Sequence, residues 1–258
     1  MSSGADSNLR IMREKILRAS HFSKEGHVPS AFSILNLLYC IYIEMPAASS
    51  FKLNQNCEFI LSKGHASLGL YATLEQAGLI DDSWVETFAK FESSFGGHPD
   101  MRKIPNVSAS TGSLGHGLPI AIGKILANRI LESRKQIFCL IGDGEMNEGA
   151  IWESLLLASH HHLGELTLIV DLNHSTDRAL TLGDLNSKLM AFGFKTRVID
   201  GHDHNQILSA LLSIDDRPTA IIANTIKGFG LDLMVNNPAW HHLSPSDMEL
   251  TEMIRALE

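Results

Sequence analysis

Short continuous apolar runs alternate along the chain with stretches in which apolar residues recur every three or four positions. Glu58-Phe59-Ile60-Leu61, Ile137-Phe138-Cys139-Leu140-Ile141 and Leu166-Thr167-Leu168-Ile169-Val170 are each too short for a helix and end in a turn. Residues 219–224 repeat the pattern, and 196–199 are read as a further strand. Such runs predict strands buried on both faces. Leu9, Ile11, Met12, Ile16 and Leu17 give residues 8–24 a helical period. After a turn at 25–29, Ser30 caps a second predicted helix carrying Ile34, Leu35, Leu38 and Ile41. Further helices are predicted over 68–77, 84–91, 118–130, 151–162, 185–194 and 206–214. A closing helix over 244–258 has Pro245 in its first turn. Alternating strands and helices predict an α/β fold, a parallel open sheet with helices on both faces.

Composition narrows the class. The 258 residues suffice for one large domain, taken as 1–258, and 44% are apolar. The net charge of −8, without a block of Lys or Arg, argues against a nucleic-acid partner. Cys40, Cys57 and Cys139 lie in apolar surroundings without metal spacing. They are expected to be buried thiols in a reducing, cytoplasmic compartment. The first eighteen residues lack the apolar core of a signal peptide. No run is read as approaching the ~20 apolar residues of a membrane span, so no membrane partner is expected.

Candidate chemistry concentrates in residues 136–173. The apolar run ending at Ile141 breaks into Gly142-Asp143-Gly144, and the run ending at Val170 breaks into Asp171-Leu172-Asn173. Two parallel strands joined by a helix place these breaks side by side at the carboxyl edge, where open α/β sheets bind ligands. Asp143 and Asn173 then offer one carboxylate and one amide oxygen. A few such hard donors plus phosphate oxygens are how Mg²⁺ is usually held. Gly142 and Gly144 let backbone approach a phosphate, and the following helix N-terminus is expected to favour the anion. Gly-Asp-Gly alone reads more readily as a solvated Asp capping a helix; the second run ending in Asn at the right distance reverses that in favour of the metal–diphosphate site.

Gly142-Asp143-Gly144, twenty-eight residues, then Asn173 resembles the thiamin-diphosphate motif. Glu148-Gly149 looks like its transketolase version, and the resemblance extends over nearly the whole chain. Ser62-Lys63-Gly64-His65 resembles the family's Ser-x-Gly-His, Gly97-His98-Pro99 its Gly-His-Pro, and Thr111-Gly112-Ser113-Leu114-Gly115 its Thr-Gly-Ser/Pro-Leu-Gly segment. The resemblance implies catalytic, channel-lining roles for His27, His65 and His98. It implies cofactor contacts from His65, Gly112, Ser113, Leu114, Gly142, Asp143, Gly144, Glu148, Asn173 and His241. It implies Mg²⁺ ligation by Asp143, Asn173 and the backbone carbonyl of Ser175, whose side chain is taken to be irrelevant. His242 is an alternative register for His241. Three departures stand out: Val28-Pro29-Ser30 after His27, His116 where Gln is typical, and residues 174–180, which are short and polar.

The family's pyrimidine and C-terminal domains are expected on a partner chain, in an α₂β₂ assembly (a heterotetramer) that also carries the catalytic glutamate. Glu148 is assigned to the contact between the two chains. The implied reaction moves a two-carbon ketol unit from a sugar phosphate, a ketose phosphate, to an aldose or a specialised acceptor. Two alternatives are a 2-oxo-acid dehydrogenase E1 α-type subunit, or else a non-catalytic relative with a binding or regulatory role. His160-His161-His162 is read as the end of a helix, and His202 and His204, flanking Asp203, carry no assigned role.

Overall fold

In the computed structural model, which describes residues 3–235 and 237–257, five strands form one parallel sheet. They are β1 (Cys57–Leu61), β2 (Gln136–Gly142), β3 (Leu166–Leu172), β4 (Lys195–Asp200) and β5 (Thr219–Asn224). Their order is β1-β2-β3-β5-β4. The expected fold class is thereby found.

Strand alternation explains the unbroken apolar runs. Phe138 and Leu140 of β2 enter one core cluster, whereas Ile137, Cys139 and Ile141 enter the other. Ile169 of β3 opposes Leu168 and Val170 in the same way. Each fully buried Leu, Ile or Phe contributes about 1.5–3 kcal/mol relative to exposure.

Helix α1 (Ser3–Ser23), α2 (Val28–Tyr39), the single turn α3 (Met45–Ala48), α4 (Ser67–Gln76) and the short α5 (Trp84–Thr87) serve the first cluster. Helices α6 (Gly117–Ile130), α7 (Gly149–His160) and α8 (Leu185–Ala191) cover the opposite face. Helix α9 (His204–Leu211) and α10 (Asp247–Ala256) return to the first. Every residue of α2 is buried, which marks a helix enclosed by protein on all sides.

Several boundaries differ from expectation. Helix α2 begins three residues early, because His27 rather than Ser30 occupies the N-cap and Pro29 fits the first turn. The helix predicted over 84–91 is one turn; Phe88 turns out at ψ 130° and Ala89 follows at φ +54°. Ser246, not a residue before Pro245, caps the last helix through a reciprocal bond with Glu249. The predicted end of that helix at Glu258 lies outside the described residues.

The second helix also corrects the expectation that no stretch approaches membrane length. Val28–Ala48 is continuous helical chain of 21 residues, long and apolar enough by composition to cross a membrane. In this fold 72% of its most apolar window is buried, with α2 packed against α1 and α4.

Candidate active site

Parallel register sets the site. Ile141 pairs with Val170 and Gly142 with Asp171, so β2 and β3 leave the sheet at the same level. β5 ends beside them, with Asn224 opposite Leu172. Asp143 and Asn173 therefore emerge as neighbours.

Asp143 is 3% exposed. Its Oδ1 accepts from the amide of Gly144 at 2.8 Å and the hydroxyl of Ser175 at 3.2 Å. Its Oδ2 is buried without a hydrogen-bond partner among the described residues. A buried, unpaired carboxylate oxygen is costly and is a ready cation ligand. Asn173 donates through Nδ2 to Ser33 and to Asp171, both at 3.0 Å, and its Oδ1 accepts from the Ser175 amide at 3.1 Å. These bonds fix the amide with its oxygen on the Ser175 side. Ser175 thus touches both expected metal ligands. Its hydroxyl adds a contact to Asp143 beside the backbone role expected of it.

The turn after Gly142 is also different from expectation. A short 3₁₀ segment, Asp143–Asn147, intervenes before α7 begins at Gly149. The N-terminus of α7 therefore does not directly follow the Gly-Asp-Gly turn. A Cβ built on Gly144 meets nothing within 4 Å, so this turn borders open space.

Beneath the site lies a charge pair that sequence reasoning missed. Lys63 and Asp171 are 2% and 0% exposed and form an ion pair. Asp171 also accepts from Ser33 at 2.8 Å and from Thr225. Period-two geometry was the available signal, since Asp171 and Asn173 share one strand face. A second missed residue is Glu145, 1% exposed. It accepts from Ser62 at 2.6 Å, the Gly115 amide at 3.0 Å and the Gly142 amide at 2.9 Å. Burial pushes its carboxyl up, while those donors pull it down. It ties the ends of β1 and β2 to the 112–117 turn.

The histidines gather around His27. The His27 ring lies 5.1 Å from His65, 5.3 Å from His241 and 4.4 Å from His242, centroid to centroid. His27 Nδ1 donates to the His241 carbonyl at 3.0 Å. Lys227 Nζ donates to His241 Nδ1 at 2.9 Å. Burial, reinforced by His242, pushes His27 down to about 4. Burial and the Lys63 ammonium push His65 down to about 2. Both rings are neutral at pH 7. Burial and then the Lys63 charge lower Lys227.

A cavity of about 240 Å³ joins the two groups, lined by Asn173, Ser175, Arg178, Lys227 and His241 among others. His241 lines it; His242 packs on His27. Residues 174–180 wrap one side, held by an Asn147-to-Thr176 bond of 2.8 Å.

The remaining expected residues sit around the rim. A Cβ on Gly112 would stand 3.0 Å from His98 Cδ2, so His98 packs directly on that glycine. Among the described residues, no hydrogen bond or ring contact joins His98 to the His27–His65 cluster. Ser113, Leu114 and Glu148 are exposed. Glu148 packs against Gly115, where an added Cβ would lie 2.7 Å from the Cβ of Glu148.

A parallel sheet with paired hard ligands and a basic, histidine-lined recess at its carboxyl edge defines a thiamin-diphosphate-binding class of α/β domain. Residues 7–257 match the family described as transketolase, thiamine diphosphate binding domain. The chain belongs to that family. It is 33% identical over 257 residues to an apulose-4-phosphate transketolase subunit of Actinobacillus succinogenes, covering 96% of this chain and 93% of the relative. The corresponding protein of Phocaeicola vulgatus is 30% identical over 253 residues, covering 94% and 90%. Among solved structures, transketolase from Leishmania mexicana superposes with a TM-score of 0.86 at 24% identity, over 98% of this chain and 41% of that one. The chain thus spans about two fifths of that transketolase. The E1 α-type and non-catalytic readings receive no support from these relatives.

Proposed function

We propose that this chain is the diphosphate-binding half of a two-component transketolase, holding Mg²⁺–thiamin diphosphate and completed by a chain carrying the pyrimidine domain. The observation that carries the metal assignment is the buried, partnerless Oδ2 of Asp143 beside Asn173. Asp143, Asn173 and the Ser175 backbone would hold the ion. Lys227 and His241 would face the diphosphate oxygens, with Gly142, Gly144 and the exposed Ser113 and Leu114 along the cofactor.

When bound, thiamin diphosphate supplies the carbon centre that takes up and releases the two-carbon unit. His27, whose Nδ1 proton is held by the His241 carbonyl, can accept a proton at Nε2 from a substrate hydroxyl, and neutral His65 can donate or accept a hydrogen bond there. His98 would close the channel from the 96–100 loop. The names of the two bacterial relatives include apulose 4-phosphate, which supports a ketose-phosphate donor for this chain too.

Three features support a second chain. The cavity of about 240 Å³ is below the ~300–1,000 Å³ of a complete small-molecule site. Glu148 is exposed, and Leu114, Leu156 and Leu157 are large apolar side chains 42–61% exposed. The two bacterial relatives are named as subunits. An α₂β₂ stoichiometry is part of the proposal, as is a cytoplasmic location, supported by three buried free cysteines.

The test is the donor reaction of this chain mixed with a transketolase pyrimidine-domain chain. Release of glyceraldehyde phosphate from xylulose 5-phosphate, dependent on thiamin diphosphate, is the expected result. Carbon dioxide from pyruvate instead would overturn it.

A further inference from the structure

A second cavity, of about 1300 Å³, opens at the carboxyl ends of β4 and β5. Glu44, Asp200, Asp203 and His204 line it. Beside its wall the main chain after α2 widens into a π-helical turn, Cys40–Glu44. Single π turns inside helices recur at functional sites. This one puts Cys40 and Glu44 on one face, and the thiol donates to Glu44 Oε2 at 3.4 Å. His204, the first residue of α9, meets Glu44 Oε1 through Nδ1 at 2.8 Å. The thiol sulfur, a Glu44 oxygen and a His204 nitrogen lie within 4.8 Å of one another.

We propose that Cys40, Glu44 and His204 form a binding site for a borderline divalent cation of the zinc class, with its remaining position open to the adjacent cavity. Thiolate, imidazole and carboxylate together suit zinc or cobalt rather than Mg²⁺. The donor spread closes around bonds of roughly 2.0–2.3 Å with small side-chain shifts. Asp200 and Asp203 at the rim add attraction for a cation. Binding releases the thiol proton to solvent, offsetting the burial and Glu44 charge that hold this thiol up.

The ligands connect to the other site through a hydrogen-bonded chain whose direction is forced at both ends. The Ile226 amide donates to His202 Nε2 at 2.9 Å, so neutral His202 carries its proton on Nδ1 and donates to Asn36 Oδ1 at 3.4 Å. Asn36 Nδ2 then donates to His204 Nε2 at 3.1 Å, and His204 Nδ1 donates to Glu44. An ion on Nδ1 moves the His204 proton to Nε2. Asn36 must turn its oxygen toward that proton and its amine toward His202. His202 must then accept at Nδ1 and carry its proton on Nε2, facing the Ile226 N–H. Occupancy therefore deprives the Ile226 amide of its acceptor, one residue before Lys227. The cation site thus reports to the recess at Lys227 without touching it.

The test uses the full chain titrated with Co²⁺ alone, followed by the thiolate-to-cobalt charge-transfer absorption. One equivalent should produce the band, and Cys40→Ser or His204→Gln should each abolish it. His204→Gln keeps the experiment decisive if Cys40→Ser fails to fold. A band that survives both variants, or that vanishes when His160, His161 and His162 are replaced by Gln, would overturn the site. With Zn²⁺ at saturation, hydrogen exchange at the Ile226 amide should accelerate at least tenfold; unchanged exchange would overturn the connection. Neither readout depends on thiamin diphosphate, so failure here and failure of the transketolase reading are separable.

Discussion

Lys63 and Asp171 meet as a buried ion pair directly beneath the recess, and Asp171 in turn holds the Asn173 amide at 3.0 Å. The pair is the hinge between packing and chemistry, because the orientation of an expected metal ligand depends on a charge with no access to water. Breaking such a pair by removing one partner is far more damaging than the pair's own net contribution, since the other charge stays buried.

Lys63→Met should therefore destabilise the protein by about 3–5 kcal/mol. Urea unfolding of the variant measures it. The double variant Lys63→Met with Asp171→Leu should recover a large part of the loss. Equal losses in the single and double variants would mean that the pair is not the source.

Acid sensitivity follows from the histidine cluster. The folded value for His27 is about 4, against about 6.5 for an unperturbed histidine. Between those values the unfolded chain binds more protons, so stability falls as pH falls from about 6.5 to about 4. Above that window the contribution is complete. His65, at about 2, extends the same trend to lower pH. His27→Gln should flatten the decline of Tm between pH 6.5 and 4. A variant that declines as steeply as the parent contradicts this origin.

His65→Ala should reduce kcat of the two-chain enzyme by about a hundredfold or more if the ring handles protons at the substrate. Its Tm should change little, because no hydrogen bond of the described structure depends on that side chain. A collapse in Tm with kcat retained would mark His65 as structural.

Much of the layout was legible in the sequence. Four apolar runs and the stretch 196–199 correspond to the five strands, and the paired breaks at Asp143 and Asn173 fall where the register of β2 with β3 and β5 requires. Ser175 and His241 were implied by the family resemblance, and His241 rather than His242 lines the cavity. Less accessible were the groups that hold these residues in place. Lys63, Glu145 and Asp171 are charged, and polarity in a sequence reads as exposure; only the fold reveals that each is enclosed by partners 83–108 positions away. The link between Cys40, Glu44 and His204 was hidden similarly, because short-range spacing carries no sign of a third donor 160 residues on. Helix 84–91 is shorter than its pattern for a different reason. Apolar periodicity does not announce the positive φ of Ala89.

A cation bridging Asp143 and Asn173 to a diphosphate is the central claim. The direct measurement is calorimetric titration of thiamin diphosphate into the chain bound to its pyrimidine-domain partner, with and without Mg²⁺, for the parent and for Asp143→Ala. Binding that needs Mg²⁺ in the parent and is lost in the variant is the predicted result. Cofactor affinity and Mg²⁺ dependence unchanged by Asp143→Ala would contradict it.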